Sequence, residues 1–126
     1  MSFCTAVNCM DGRVQDPVTR FLASRFGVKY VDQITEAGPV GVLASEPESA
    51  RAQEIYRKID ISIKAHKSRG LAVVAHHDCA GNPKSRNEQM EDLHRSAEVL
   101  RERFPGMVVV ALWVGDDWTV TEMPDL

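Results

Sequence analysis

The sequence predicts an α/β protein with a parallel four-stranded sheet in the order 2-1-3-4 and helices on both faces. Strand-length apolar runs recur along the chain, and stripes with three- and four-residue spacing, the mark of helices, stand between them. Two of the runs, 3–7 and 71–75, pass directly into polar loops that carry Cys and His. Strictly alternating strands and helices imply parallel pairing through right-handed crossovers.

The first run, 3–7, ends at Asn8-Cys9-Met10-Asp11-Gly12-Arg13, where polar residues and a glycine mark a loop. Asp16-Pro17 then offers an N-cap and a proline at the first helical position. Val18, Phe21, Leu22 and Phe26 share one face, and Gly27 stops the helix. Residues 28–34 have strand character and run into a turn at Thr35-Glu36-Ala37-Gly38-Pro39. After a loop containing Glu46-Pro47, a long amphipathic helix covers about 49–68 through Ile55, Ile59, Ile63 and His66, and closes at Gly70. The continuously apolar run 71–75 reads as a strand buried on both faces, and it delivers His76-His77-Asp78-Cys79-Ala80-Gly81-Asn82-Pro83. Met90, Leu93, Ala97, Leu100 and Phe104 make a last helical stripe, ended by Pro105-Gly106, and 107–114 is a fourth buried strand. The tail from Gly115 is compatible with a fifth, edge strand.

The 126 residues suit one domain, 1–126, and the composition, 44% hydrophobic and 26% charged, is that of an ordinary globular protein. Apolar runs are too short to span a bilayer. A net charge of −3 with interspersed signs leaves no basic stripe, which argues against nucleic acid and membrane surfaces as partners. The start Met1-Ser2-Phe3-Cys4-Thr5 has neither a basic leader nor an apolar signal core, so a cytoplasmic location is expected. In a reducing compartment the three cysteines, Cys4, Cys9 and Cys79, read as ligands, nucleophiles or core residues.

Open parallel sheets bind ligands beyond the carboxyl ends of their strands, where the strand order reverses. In a 2-1-3-4 sheet that crevice lies between strands one and three. Cys9 leaves the first of these strands, and His76 and Cys79, three positions apart, leave the other. Two thiolates and one imidazole suit Zn2+, with a fourth position left open. The alternative for the cysteines is a pair of inert buried thiols or a redox pair. Asp11 and Arg13 make a surface contact or brace a turn in most settings. Beside a metal, a carboxylate fixed by the planar guanidinium can instead orient a bound water. Gly12 between them is read as permitting a tight backbone path. Cys4 is expected to be a small buried hydrophobe on the other side of its strand, and His66 and His94 to be surface or boundary residues. Trp113 and Trp118 pack beneath the site, at a subunit interface or, as the favoured reading, in the core. His77 and Asp78 are read as loop residues or hydrogen-bond partners of the ligand loop rather than proton relays.

Cys9-Met10-Asp11-Gly12-Arg13 followed by His76-His77-Asp78-Cys79 resembles the paired signature of the β-class carbonic anhydrases, Cys-x-Asp-x-Arg and His-x-x-Cys. The resemblance covers most of the chain. It implies Cys9, His76 and Cys79 as zinc ligands and Asp11 with Arg13 as the catalytic dyad. It also implies reversible hydration of carbon dioxide to bicarbonate by zinc-bound hydroxide, and a homodimer or higher homo-oligomer. In some members of that family the aspartate occupies the fourth zinc position. Three features depart from the pattern: Gly12 stands where serine is usual, Thr35-Glu36-Ala37-Gly38 where Arg-Asn-Ala-Gly is usual, and the N-terminal helical extension is mostly missing. Two alternatives stand beside the lyase: a hydrolase of carbonyl sulfide or carbon disulfide, which the same hydroxide could attack, and a non-catalytic zinc-binding protein, suggested by the extra carboxylate at Glu36 and the short chain.

Overall fold

The computed structural model describes residues 2–124. Its sheet has five strands in the order β2-β1-β3-β4-β5: β1 (Phe3–Cys9), β2 (Tyr30–Glu36), β3 (Leu71–His76), β4 (Val109–Val114) and β5 (Val120–Met123). The first four are parallel, and β5 adds an antiparallel edge through Val114↔Val120 and Ala111↔Met123. Strands β3 and β4 are buried at every position, as their unbroken apolar sequences require.

Helix α1 (Gln15–Phe26) covers one face, where Val14, Val18 and Leu22 pack with Cys4, Ala6, Ala72, Val74 and Leu112. The other face carries α2 (Pro39–Ser45), α3 (Ala50–His66) and α4 (Arg86–Arg103), with Leu43, Ile55, Ile59, Leu93 and Leu100 closing over Val7, Val73, Ala111 and Trp113. Placing α1 on one face and α2 to α4 on the other makes the chain cross the sheet between β2 and β3, which fixes the switch point between β1 and β3. No helix of the described residues is long and apolar enough to cross a membrane.

Three local readings change. Helix α1 begins at Gln15 rather than at an Asp16 cap, because a 3₁₀ turn, Gly12–Val14, precedes it and is capped by Asp11, whose Oδ1 accepts the Arg13 N–H at 2.9 Å. The turn at 35–39 opens into α2, with Gly38 left-handed before it and Pro39 in its first turn. Gly70 does not end α3, since Lys67 adopts the left-handed cap position three residues earlier. Ser49 caps α3, and Ser85 with Glu88 forms a capping box on α4.

Candidate metal centre

The crevice is built by strands that part company. Pairing between β1 and β3 runs from Thr5↔Leu71 to Val7↔Val73 and stops. Beyond it β1 continues along β2 to Cys9↔Glu36, while β3 continues along β4 to His76↔Val114. Cys9 and His76 thus stand at the tips of a fork, and the loop after β3 returns Cys79 to the same place. The ligand atoms of Cys9, His76 and Cys79 lie within 4.8 Å of one another, the two sulfurs 3.9 Å apart. All three residues are buried.

The donor set fits a borderline-soft ion. His76 Nδ1 is 2.7 Å from the His77 carbonyl oxygen, and a proton held there to donate leaves the lone pair on Nε2. That Nε2 is buried and has no hydrogen-bond partner, the one such side-chain atom among the described residues. A buried nitrogen without a partner is costly, and a ligated ion relieves it. The two thiols share a proton: the Cys79 S–H holds Cys9 well below the ordinary thiol range, against the opposing effect of burial. The Gly38 and Asp11 amides reinforce the shift. The same contact, with burial, pushes Cys79 up. Amides of Gly81 and Asn82 favour the Cys79 thiolate, so each sulfur is flanked by backbone dipoles that suit a metal-bound anion.

Asp11 and Arg13 meet in a fork. Arg13 Nη2 donates to Asp11 Oδ2 at 2.7 Å and Nε to Oδ1 at 3.0 Å. These bonds hold the Asp11 carboxyl down at about 2, against the opposing effect of burial. Arg13 also reaches the ligand loop, donating to Asp78 Oδ2 at 3.3 Å and to the Asp78 carbonyl at 3.2 Å. The metal-ligand group includes neither Asp11 nor Glu36. Glu36 turns aside, where its Oε1 accepts the Ala37 N–H at 3.0 Å and faces Arg51 Nη2 at 3.6 Å. Gly12 is not demanded by space, because a Cβ there would meet nothing within 4 Å.

Several residues of the site carry no sequence signal of their own. Buried Asn8 accepts the Cys9 N–H on Oδ1 at 2.9 Å and donates to Val14 O and Gln33 Oε1, while Gln15 Nε2 donates to Cys9 O at 2.6 Å. The loops after β2 and β3 cross backbone to backbone at Gly38 and Gly81: a Cβ on Gly81 would stand 2.5 Å from the Ala37 carbonyl carbon. Buried Asn82 and Gln89 pin the ligand loop to α4, Gln89 Nε2 donating to Asn82 O at 2.6 Å. Trp113 is core as expected, and Trp118, partly buried against the other cluster, packs at the site: its ring stacks on Arg13, 4.4 Å from ring centroid to Cζ. Cys4 is a fully buried thiol outside the ligand group, pushed up to about 11 by burial and by Asp32. His66 is paired with Asp32 at 2.7 Å, far from the crevice in the fold, and His94 is half-buried on α4.

Next to Cys9 and Asp11, Met10, Ala37, Ala80 and Gly81 line a mostly apolar pocket of about 200 Å³. It lies beside the ligand cluster. A sequence model for a family described as "Putative carbonic anhydrase" matches residues 1–124. No curated protein matches the chain.

Proposed function

The chain belongs to this carbonic anhydrase family, and on that premise we propose that it is a zinc-dependent lyase that hydrates carbon dioxide reversibly to bicarbonate. The observation that carries the reading is the buried, unpartnered His76 Nε2 converging with two thiols on one point. Cys9, His76 and Cys79 are the residues that would hold Zn2+, which when bound supplies the Lewis acidity that makes water nucleophilic near neutral pH.

The protein's own part is orientation. Asp11, kept ionised by Arg13, retains acceptor capacity on its oxygens and lies beside the pocket, so it can take a hydrogen bond from the attacking water and fix its lone pair. The Ala37, Ala80 and Gly81 wall admits a small linear apolar substrate and excludes bulk. Engagement of Glu36 by Arg51 and by its own chain draws the extra carboxylate away from the centre, which favours the catalytic reading over a zinc-binding protein without turnover.

Stopped-flow carbon dioxide hydration with zinc-loaded protein tests this, with metal analysis of Cys79→Ser alongside. We expect turnover and bound zinc in the parent protein and loss of both in the variant. Sulfide released from carbonyl sulfide, with no hydration of carbon dioxide, would move the substrate to the related heterocumulenes. Equal zinc in both proteins would refute the ligand set.

Residues 1–126 are read as one domain working in the cytoplasm, where the three free cysteines suit a reducing medium. Self-association through the open β2 edge, where Tyr30 is 52% exposed, is the proposed route to a homodimer. Sedimentation of a Tyr30→Lys variant checks it.

A further inference from the structure

We infer that Trp118, in the β4–β5 connection, is a positioning residue that clamps the Arg13 guanidinium and through it aims the Asp11 carboxylate. The inference rests on the reading that Asp11 and Arg13 act beside the metal, and it brings a fourth segment of the chain to the site. Three contacts fix Arg13. Its edge is bonded to Asp11 at 2.7 and 3.0 Å, its far side reaches Asp78 at 3.3 Å, and its face lies on the Trp118 ring at 4.4 Å. Hydrogen bonds in the guanidinium plane leave rotation about that plane's edge and displacement along its normal unopposed. A stacked indole supplies the missing restraint, and tryptophan is the ring that attracts a cation best.

The backbone supports the assignment. Non-glycine residues with positive φ among those described are Lys67, Asp78 and Trp118. Lys67 sits at a helix end, where such a conformation is routine. The other two, at +58° and +63°, are both contacts of Arg13. A bulky side chain in the left-handed region is unfavourable and persists where its surroundings over-determine it. Here a tight turn does so, with Trp118 N–H donating to Gly115 O at 3.0 Å and Gly115 N–H to Thr119 O at 3.1 Å. Any residue could close that turn, and glycine with the least strain, yet the chain places there the side chain that covers Arg13. The edge of the ring meets His77, centroids 6.3 Å apart, so the same indole also packs on the ligand loop.

The experiment uses zinc-loaded protein and the variants Trp118→Phe, Trp118→Leu and Trp118→Gly. The Arg13 side-chain nitrogens, assigned with Arg13→Lys, are read by NMR: a clamped guanidinium shows resolved Nη signals, and a free one shows averaged signals. The parent protein is expected to show resolved signals, and Trp118→Phe, which keeps an aromatic face, to keep them and lose less turnover than Trp118→Leu. In Trp118→Leu the signals average and kcat falls about tenfold at unchanged KM, the scale of a lost cation–aromatic contact that acts on the transition state. Trp118→Gly separates this from folding, since it relieves the left-handed residue and should melt no lower than Trp118→Leu while sharing its averaged signals and low kcat. Resolved signals in Trp118→Leu, or an unchanged kcat in it, would overturn the assignment, as would a Trp118→Phe protein that behaves like Trp118→Leu. If the parent protein turns over no carbon dioxide, the proposed activity fails while the NMR comparison still decides whether Trp118 clamps Arg13.

Discussion

At the scale of the residue, the site works by removing freedom from ordinary side chains. Asp11 caps the 3₁₀ turn with the same oxygen that accepts from Arg13 Nε, so its rotamer is fixed twice. Asp11→Asn leaves the three proposed ligands in place and should retain zinc while lowering kcat on the order of 10²-fold, the lower range for a lost proton-handling group. Metal analysis with stopped-flow hydration checks both halves. The carboxyl is ionised well below neutral because its folded pKa of about 2 lies under the ordinary 3.8. Its contribution to stability is therefore present above pH 4 and is lost as pH falls toward 2. Cys4 runs the other way. Burial raises its thiol from 9.0 to about 11, so the stability it contributes is present below pH 9 and is lost as pH rises through 11. Alkylation of metal-free protein at pH 8 should therefore modify Cys9 well before Cys4, as peptide mass mapping would show. The Cys-His-Cys set was legible in the sequence because its members sit at fixed spacings after apolar runs. Packing of Trp118 at the site was one reading of the sequence, but its partner Arg13 was hidden, since a stacking contact joins segments about a hundred residues apart.

At the scale of the element, strand ends and loop crossings do the positioning. Replacing Gly81 by alanine puts a Cβ 2.5 Å from the Ala37 carbonyl carbon and 2.7 Å from the Gly38 nitrogen, backbone that cannot rotate away. The variant should lose about 2 kcal/mol or more and hold zinc poorly, because the strain falls on the loop that carries Cys79. Thermal melts and metal content measure the two effects. Ser85→Ala, which removes half of the α4 capping box, should cost about 1 kcal/mol and leave zinc binding unchanged. These elements differ in how openly the sequence announces them. Helix α3 has a polar face and a serine cap, and its stripe reads directly. Helix α2 buries Pro39, Val40, Val42 and Leu43 and has a glycine among them, so no polar face gives its period away. The true start of α1 was hidden because an Asp16-Pro17 pair looks like a cap, whereas Asp11 already caps the turn before it.

At the scale of the whole molecule, the sheet order is what gathers the Cys-His-Cys cluster from distant residues. Pairing between β1 and β3 ends at Val7↔Val73, and the fork beyond it receives Cys9 and His76. That order followed from alternating strands and helices, and the antiparallel β5 completed it from a four-residue segment too short to show periodicity. Because hydrophobic clusters close both faces of the sheet along its length, removing bound zinc should lower the melting temperature without abolishing the far-ultraviolet circular dichroism of the folded state. A chelator titration followed by both signals tests it. The crossing of the loops at Gly38 and Gly81 limits how this protein can change over evolutionary time. One wall of the pocket is main chain lying against main chain, so it cannot be widened by trimming a side chain, and an insertion in either loop displaces the other. Larger molecules would have to be accommodated at Met10, the one long and exposed side chain on the rim, which makes that position the natural starting point for altering what enters.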